Sequence, residues 1–86
     1  MYVILVYDMN TKRVGKMLKL CRKYLNWIQN SVFEGELTKV QLENFKAEAK
    51  EIMKEGDSLI LFKNREQYWL QKEVIGDEKS SIDNFL

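Results

Sequence analysis

Few side chains in this sequence are able to do chemistry, and the missing ones narrow the field first. The 86 residues include no histidine and one cysteine, Cys21. Without an imidazole, neither a Ser-His-Asp nor a Cys-His arrangement can be built. One cysteine supplies neither an internal disulfide nor the four ligands of a structural zinc site. The sequence contains no glycine-rich phosphate loop and no dinucleotide fingerprint. Carboxylates, basic side chains and hydroxyls remain, a set that suits a metal-assisted hydrolase or a binder without catalysis. Among the acids, Asp8 stands out because it ends the apolar run Tyr2-Val3-Ile4-Leu5-Val6-Tyr7. Strand alternation puts it on the face of Ile4 and Val6. If that face meets a second copy across a two-fold axis, Asp8 can meet its own counterpart. Mg²⁺ often takes one or two carboxylates together with water and substrate phosphate, so such a pair would suffice. The competing reading is a strand-end acid that caps a turn or helix.

The second feature is a basic stripe. Residues 1–33 carry Lys12, Arg13, Lys16, Lys19, Arg22 and Lys23 against Asp8 alone, although the whole chain has a net charge of +1. At 100° per residue Lys12, Lys16, Lys19 and Lys23 share one side of a helix, which suits phosphates. The alternative is an ordinary solvated face. Tyr7, Trp27, Phe33 and Trp69 are expected in the core rather than as platforms for stacked bases.

The elements that position these residues follow from periodicity. Tyr2–Asp8 reads as a strand buried on both faces. Asn10 or Thr11 caps a helix over about 11–25, with Val14, Met17, Leu18, Cys21, Leu25 and Ile28 at helical spacing. Cys21 is expected as a small buried hydrophobe. Residues 27–37 read as two short strands broken at Asn30-Ser31, with a bulge at Gly35. Thr38 and Gln41 have capping-box spacing ahead of a second helix through Leu42, Phe45, Ala49, Ile52 and Met53, with Gly56 at its C-terminus. Ser58–Lys63 is another apolar strand, and Tyr68–Ile75 supplies a short last one.

The order β-α-β-β-α-β predicts an α+β fold of ferredoxin-like type over residues 1–86, with 77–86 as a C-terminal tail. Both helices then lie on one side of the sheet, yet the strands are apolar on both faces. The uncovered face calls for a partner, most simply a second copy, and the extra C-terminal strand can extend a neighbouring sheet edge. The N-terminus has no basic segment of a signal peptide, and no apolar run reaches the length of a membrane span. A cytoplasmic protein is expected.

The strand end Tyr7-Asp8, Arg13 opening the basic helix, and the segment Gln29-Asn30-Ser31-Val32-Phe33-Glu34-Gly35 together resemble the CRISPR-associated Cas2 family. The likeness continues through Leu37-Thr38, Asp57-Ser58 and Val74-Ile75-Gly76. It implies a ferredoxin-like homodimer whose C-terminal strand packs on the partner's sheet. It implies a part in CRISPR antiviral defence, in acquiring new spacers alongside the Cas1 integrase. It further implies an endonuclease that depends on Mg²⁺ or another divalent metal and hydrolyses phosphodiesters of single-stranded RNA or duplex DNA. Asp8 falls on the catalytic, metal-binding aspartate, and Tyr7, Arg13, Ser31 and Phe33 on supporting positions. Arg13 with Lys12, Lys16, Lys19 and Lys23 would then hold nucleic acid. In some members the role is that of a scaffold, so the alternative is a dimeric adaptor that binds duplex DNA and bridges Cas1. A small-molecule regulatory domain of the same fold is a third possibility, disfavoured by the basic stripe. The sequence departs from the family pattern in the short, proline-free stretch between Asp8 and Arg13, and in Asn26-Trp27-Ile28, where many members carry a basic residue.

Overall fold

A computed structural model describes residues 1–65, 73–77 and 79. In chain order it contains β1 (Tyr2–Asp8), α1 (Thr11–Tyr24), β2 (Asn26–Gln29), β3 (Val32–Glu36), α2 (Lys39–Ile52) and β4 (Ser58–Asn64). The strands form one antiparallel sheet in the order β2-β3-β1-β4, the ferredoxin-like α+β arrangement expected. Of the strand expected at 68–75, residues 68–72 lie outside the described residues, while 73–75 are described and form no strand, with Ile75 largely exposed. Most of the tail also lies outside the described residues.

The N-terminal caps work as their residue types dictate. The Asn10 side-chain oxygen accepts from the Lys12 N–H at 2.9 Å. At α2, Thr38 Oγ1 accepts from the Gln41 N–H at 3.1 Å while Gln41 Oε1 accepts from the Thr38 N–H at 2.8 Å. Each bond satisfies a backbone donor that the helix leaves open. Both helices cover one face of the sheet. Val3, Leu5, Tyr7 and Phe33 are buried there with Met17, Leu20 and Cys21 of α1 and Leu42, Phe45 and Ala49 of α2. Tyr24 meets Phe45 edge to face at 5.6 Å between ring centres. Cys21 is fully buried, and burial pushes its thiol up to about 12, so it packs as the small hydrophobe expected.

Several local expectations need correction. Helix α1 covers the expected span to within a residue, but Ile28 lies in β2 rather than on the helical stripe, because Leu25 turns to an extended backbone while its N–H still donates to Cys21 O at 2.7 Å. Gly35 is no bulge: it pairs in register with Val3. The irregularity lies in β2, where Trp27 faces Phe33 and Gln29 faces Val32, leaving Ile28 as the extra residue. Gly56 does not end α2, whose cap is Met53. It sits at φ +92° in the turn closed by Asp57 N–H to Lys54 O at 3.0 Å, where a positive φ favours glycine. The break at Asn30 is real, with φ +46° between β2 and β3.

Two glycines offer opposite tests of packing. A Cβ at Gly15 meets nothing within 4 Å, so Gly15→Ala should stabilise the chain by about 1 kcal/mol through helix propensity. A Cβ at Gly35 meets Leu25 Cδ2 at 3.0 Å, and Leu25 is itself buried. Gly35→Ala should therefore destabilise by roughly 1 kcal/mol through overpacking. Urea denaturation of the two variants, compared by midpoint, checks both signs.

The other sheet face is left open. Ile4, Val6 and Val32 are half-buried, while Ile60 and Phe62 are 52% and 56% exposed. The pairings Val6–Ile60, Ile4–Phe62 and Val6–Val32 make these side chains contiguous. The face is thus apolar as expected, but it is not buried within one chain.

Candidate nucleic-acid and metal site

Asp8 closes β1, opposite Ser58 in the last rung of the β1–β4 ladder. Its side chain is exposed on the open face, at the end of the row Tyr2, Ile4, Val6. Its carboxylate makes no hydrogen bond or ion pair with the described residues, so it does not cap the turn or helix that follows. Among the described residues no group of three or more acidic or sulfur side chains converges as a metal cluster.

The residues expected to support Asp8 lie at the same end of β1. Tyr7 is buried on the helix side and stacks on Phe33 with ring centres 6.3 Å apart. Burial pushes its phenol above the ordinary range. The Tyr7 N–H donates to Ser31 O at 3.2 Å, which brings the β2–β3 turn beside the end of β1. Tyr7, Ser31 and Phe33 thus form one packed unit. Tyr7 and Phe33 brace the strand from the core side and do not share the surface of Asp8.

Arg13 is engaged within the fold. Its Nε and Nη2 donate to Asp57 Oδ2 and Oδ1 at 2.6 and 3.0 Å. This fork holds the Asp57 carboxyl well below the usual carboxylate range, helped by the Lys54 N–H. The fork on Asp57 leaves Arg13 less to offer a phosphate than its position in the basic helix implied. Asp57 enters the sequence pattern only as a strand start; its pairing with Arg13 is shown by the structure.

The lysines divide into two groups. Lys12, Lys16 and Lys19 are exposed and pair with no carboxylate among the described residues. Lys23 donates to Glu48 Oε1 at 3.3 Å and lies 5.6 Å from the Tyr24 ring centre. Tyr24 also donates to Glu48, and these contacts keep the Glu48 carboxyl below its ordinary range. Among the described residues, the positive charge of α1 without a carboxylate partner therefore runs along Lys12, Lys16, Lys19 and Arg22. A second basic group, Lys39, Lys63 and Arg65, lines a cleft beside Met1 at the opposite end of the sheet. Among the described residues, no helix is long and apolar enough to cross a membrane.

Sheet order and helix placement define a small α+β protein of ferredoxin-like type. The family described as CRISPR associated protein Cas2 matches residues 1–72, and the chain belongs to that family. The CRISPR-associated endoribonuclease Cas2 of Thermotoga maritima is 46% identical over 87 residues, covering 100% of this chain and 99% of the relative. The protein of the same name from Methanocaldococcus jannaschii is 45% identical over 87 residues, covering 100% and 76%. A crystal structure of Cas2 superposes with a TM-score of 0.82 at 45% identity, over 95% of this chain and 93% of the other. Streptococcus pyogenes Cas2 at pH 6.5 gives 0.77 at 31% identity, over 88% and 100%.

Proposed function

We propose that the protein is a homodimeric CRISPR-associated endoribonuclease that serves spacer acquisition, with Asp8 of each copy as its metal-binding acid. The observation that carries this reading is an exposed carboxylate with no partner among the described residues, standing on a sheet face that exposes Ile60 and Phe62. A carboxylate that the fold does not use, on a surface that a second copy would cover, suits a ligand shared between subunits.

The donor set fits a hard divalent cation. Mg²⁺ keeps most of its waters and needs one or two carboxylates, which one Asp8 per chain supplies. When bound, such an ion polarises the scissile phosphate and lowers the pKa of an attacking water. The chain's own residues do the rest. Asp8 holds the negative charge in place. Tyr7, Phe33 and Ser31 set the height of the β1 end against β3. Lys12, Lys16 and Lys19 hold flanking phosphates, an interaction that positions the polymer without reading its sequence.

The decisive assay incubates the purified protein with single-stranded RNA and with duplex DNA, each with Mg²⁺ and with chelator. Cleavage of RNA with Mg²⁺ alone is expected. Binding of duplex DNA without cleavage under any divalent metal would favour the adaptor reading, in which the dimer lays DNA on its basic helices and bridges Cas1. In either case, changing Lys12, Lys16 and Lys19 together to Glu should weaken binding. The log–log slope of affinity against salt should shrink by about 0.9 for each phosphate that is no longer neutralised. An unchanged slope would make the stripe a solvated face.

A further inference from the structure

The carboxylate of Asp57 joins three separate stretches of chain. Oδ1 accepts from the Asn10 N–H in the turn between β1 and α1, and from Arg13 Nη2, both at 3.0 Å. Oδ2 accepts from Arg13 Nε at 2.6 Å and from the Lys54 N–H at 2.9 Å. The side chain is 1% exposed, and the pairing spans 44 residues of sequence. A single acid thus fastens the exit of β1, the first turn of α1 and the entry to β4.

The location bears on Asp8. Asp57 immediately precedes Ser58, the residue paired with Asp8, and Asn10 lies two residues past Asp8. Strand β3 gives little support there: its ladder with β1 ends at Val6–Val32, followed by the single bond from Tyr7 to Ser31. The Asp8 side chain has no bond of its own among the described residues. Its placement is therefore set by the backbone, and the backbone just beyond it is tied down by Asp57. Arginine suits this task because its planar fork meets both carboxylate oxygens, which an ammonium does not.

We propose that the Arg13–Asp57 pair is the positioning device of the Asp8 site, fixing where the Asp8 carboxylate stands on the open face. The inference rests on the reading of Asp8 as a metal-binding acid. Groups that orient a metal ligand from behind govern affinity for the ion, often by about 10–100-fold. Arg13 and Asp57 are positioning residues here, not ligands.

The test uses full-length Asp57→Asn and Arg13→Lys, each studied where circular dichroism shows it folded. Affinity for Mn²⁺ is read by electron paramagnetic resonance, with Asp8→Asn as baseline, and cleavage of single-stranded RNA is resolved into kcat and KM. Backbone order at Asp8 and exchange of the Asn10 amide are read by nuclear magnetic resonance. In Asp57→Asn, Mn²⁺ affinity should fall roughly tenfold or more. Its kcat should fall with KM little changed, Asp8 should lose order and the Asn10 amide should exchange faster, while Val3 and Leu5 stay protected. Arg13→Lys keeps the charge and the two backbone bonds to Asp57, and should fall between the variant and wild type. An unchanged Asp8 and Asn10 in both variants overturns the proposal, whatever the metal does. A loosened Asn10 with unchanged Mn²⁺ affinity and kcat reduces the pair to a fold element and also overturns it. A wild type that binds Mn²⁺ no better than Asp8→Asn overturns the metal reading instead, and order at Asp8 then decides the positioning role.

Discussion

Asp8→Asn should abolish Mg²⁺-dependent cleavage for practical purposes, with a loss of roughly 100-fold or more, since metal polarisation contributes several kcal/mol to the transition state. The substitution keeps shape and removes one negative charge from each subunit. Binding of nucleic acid should persist, because it rests on Lys12, Lys16 and Lys19. Stability should change little, because the carboxylate is exposed and makes no bond within the described residues. The metal-free dimer should if anything be firmer, since two carboxylates facing each other repel. Matched assays of wild type and variant, each with Mg²⁺ and with chelator, read all of this. Undiminished metal-dependent cleavage by Asp8→Asn would remove Asp8 from the chemistry.

Phe62→Glu should convert a dimer into a monomer at micromolar concentration. Phe62 is 56% exposed on the open face beside Ile4 and Ile60. Burying one phenylalanine is worth about 1.5–3 kcal/mol, and a two-fold interface contains two. Losing both contributions and burying two carboxylates instead should raise the dissociation constant by roughly 1,000-fold or more. The subunit itself should remain folded, because the helix-side core does not include Phe62. Sedimentation equilibrium tests this against the 10.3 kDa mass of one chain. A wild type of that mass would overturn the dimer, and a variant of twice that mass would move the interface off this face.

What could be read from the sequence was local. Asn10, Thr38 with Gln41, and the Asn30-Ser31 break act through bonds that reach one to three residues, so residue type and spacing identify them. The apolar periods likewise place β1, α1, α2 and β4, and they put Asp8 on the open face. The misplaced bulge has a different origin. Gly35 is small because Leu25 lies against it across the β2–β3 layer, a packing relation that no period encodes. The role of Asp57 as the partner of Arg13 was hidden for the same reason on a larger scale. As a sequence it is an acid after a glycine at a strand start, and its partner Arg13 lies 44 residues earlier in the chain. Neither residue has a pattern that points to the other. A bidentate pair of this kind becomes visible only when the sheet order sets β1 beside β4.

That order also dictates a sequence of events during synthesis. Of the described strands β1 leaves the ribosome before the others, yet one of its two neighbours, β4, is made after every other element of the described sheet. Until Ser58–Asn64 emerges, β1 is an unprotected edge strand with an apolar face, open to pairing with another nascent chain. Arg13 and Asn10 meanwhile wait for an acid that has not yet been translated. Translation that stalls before Asp57 should therefore leave a fragment that recruits chaperones or aggregates, whereas release after β4 closes the edge and supplies the missing charge in one step.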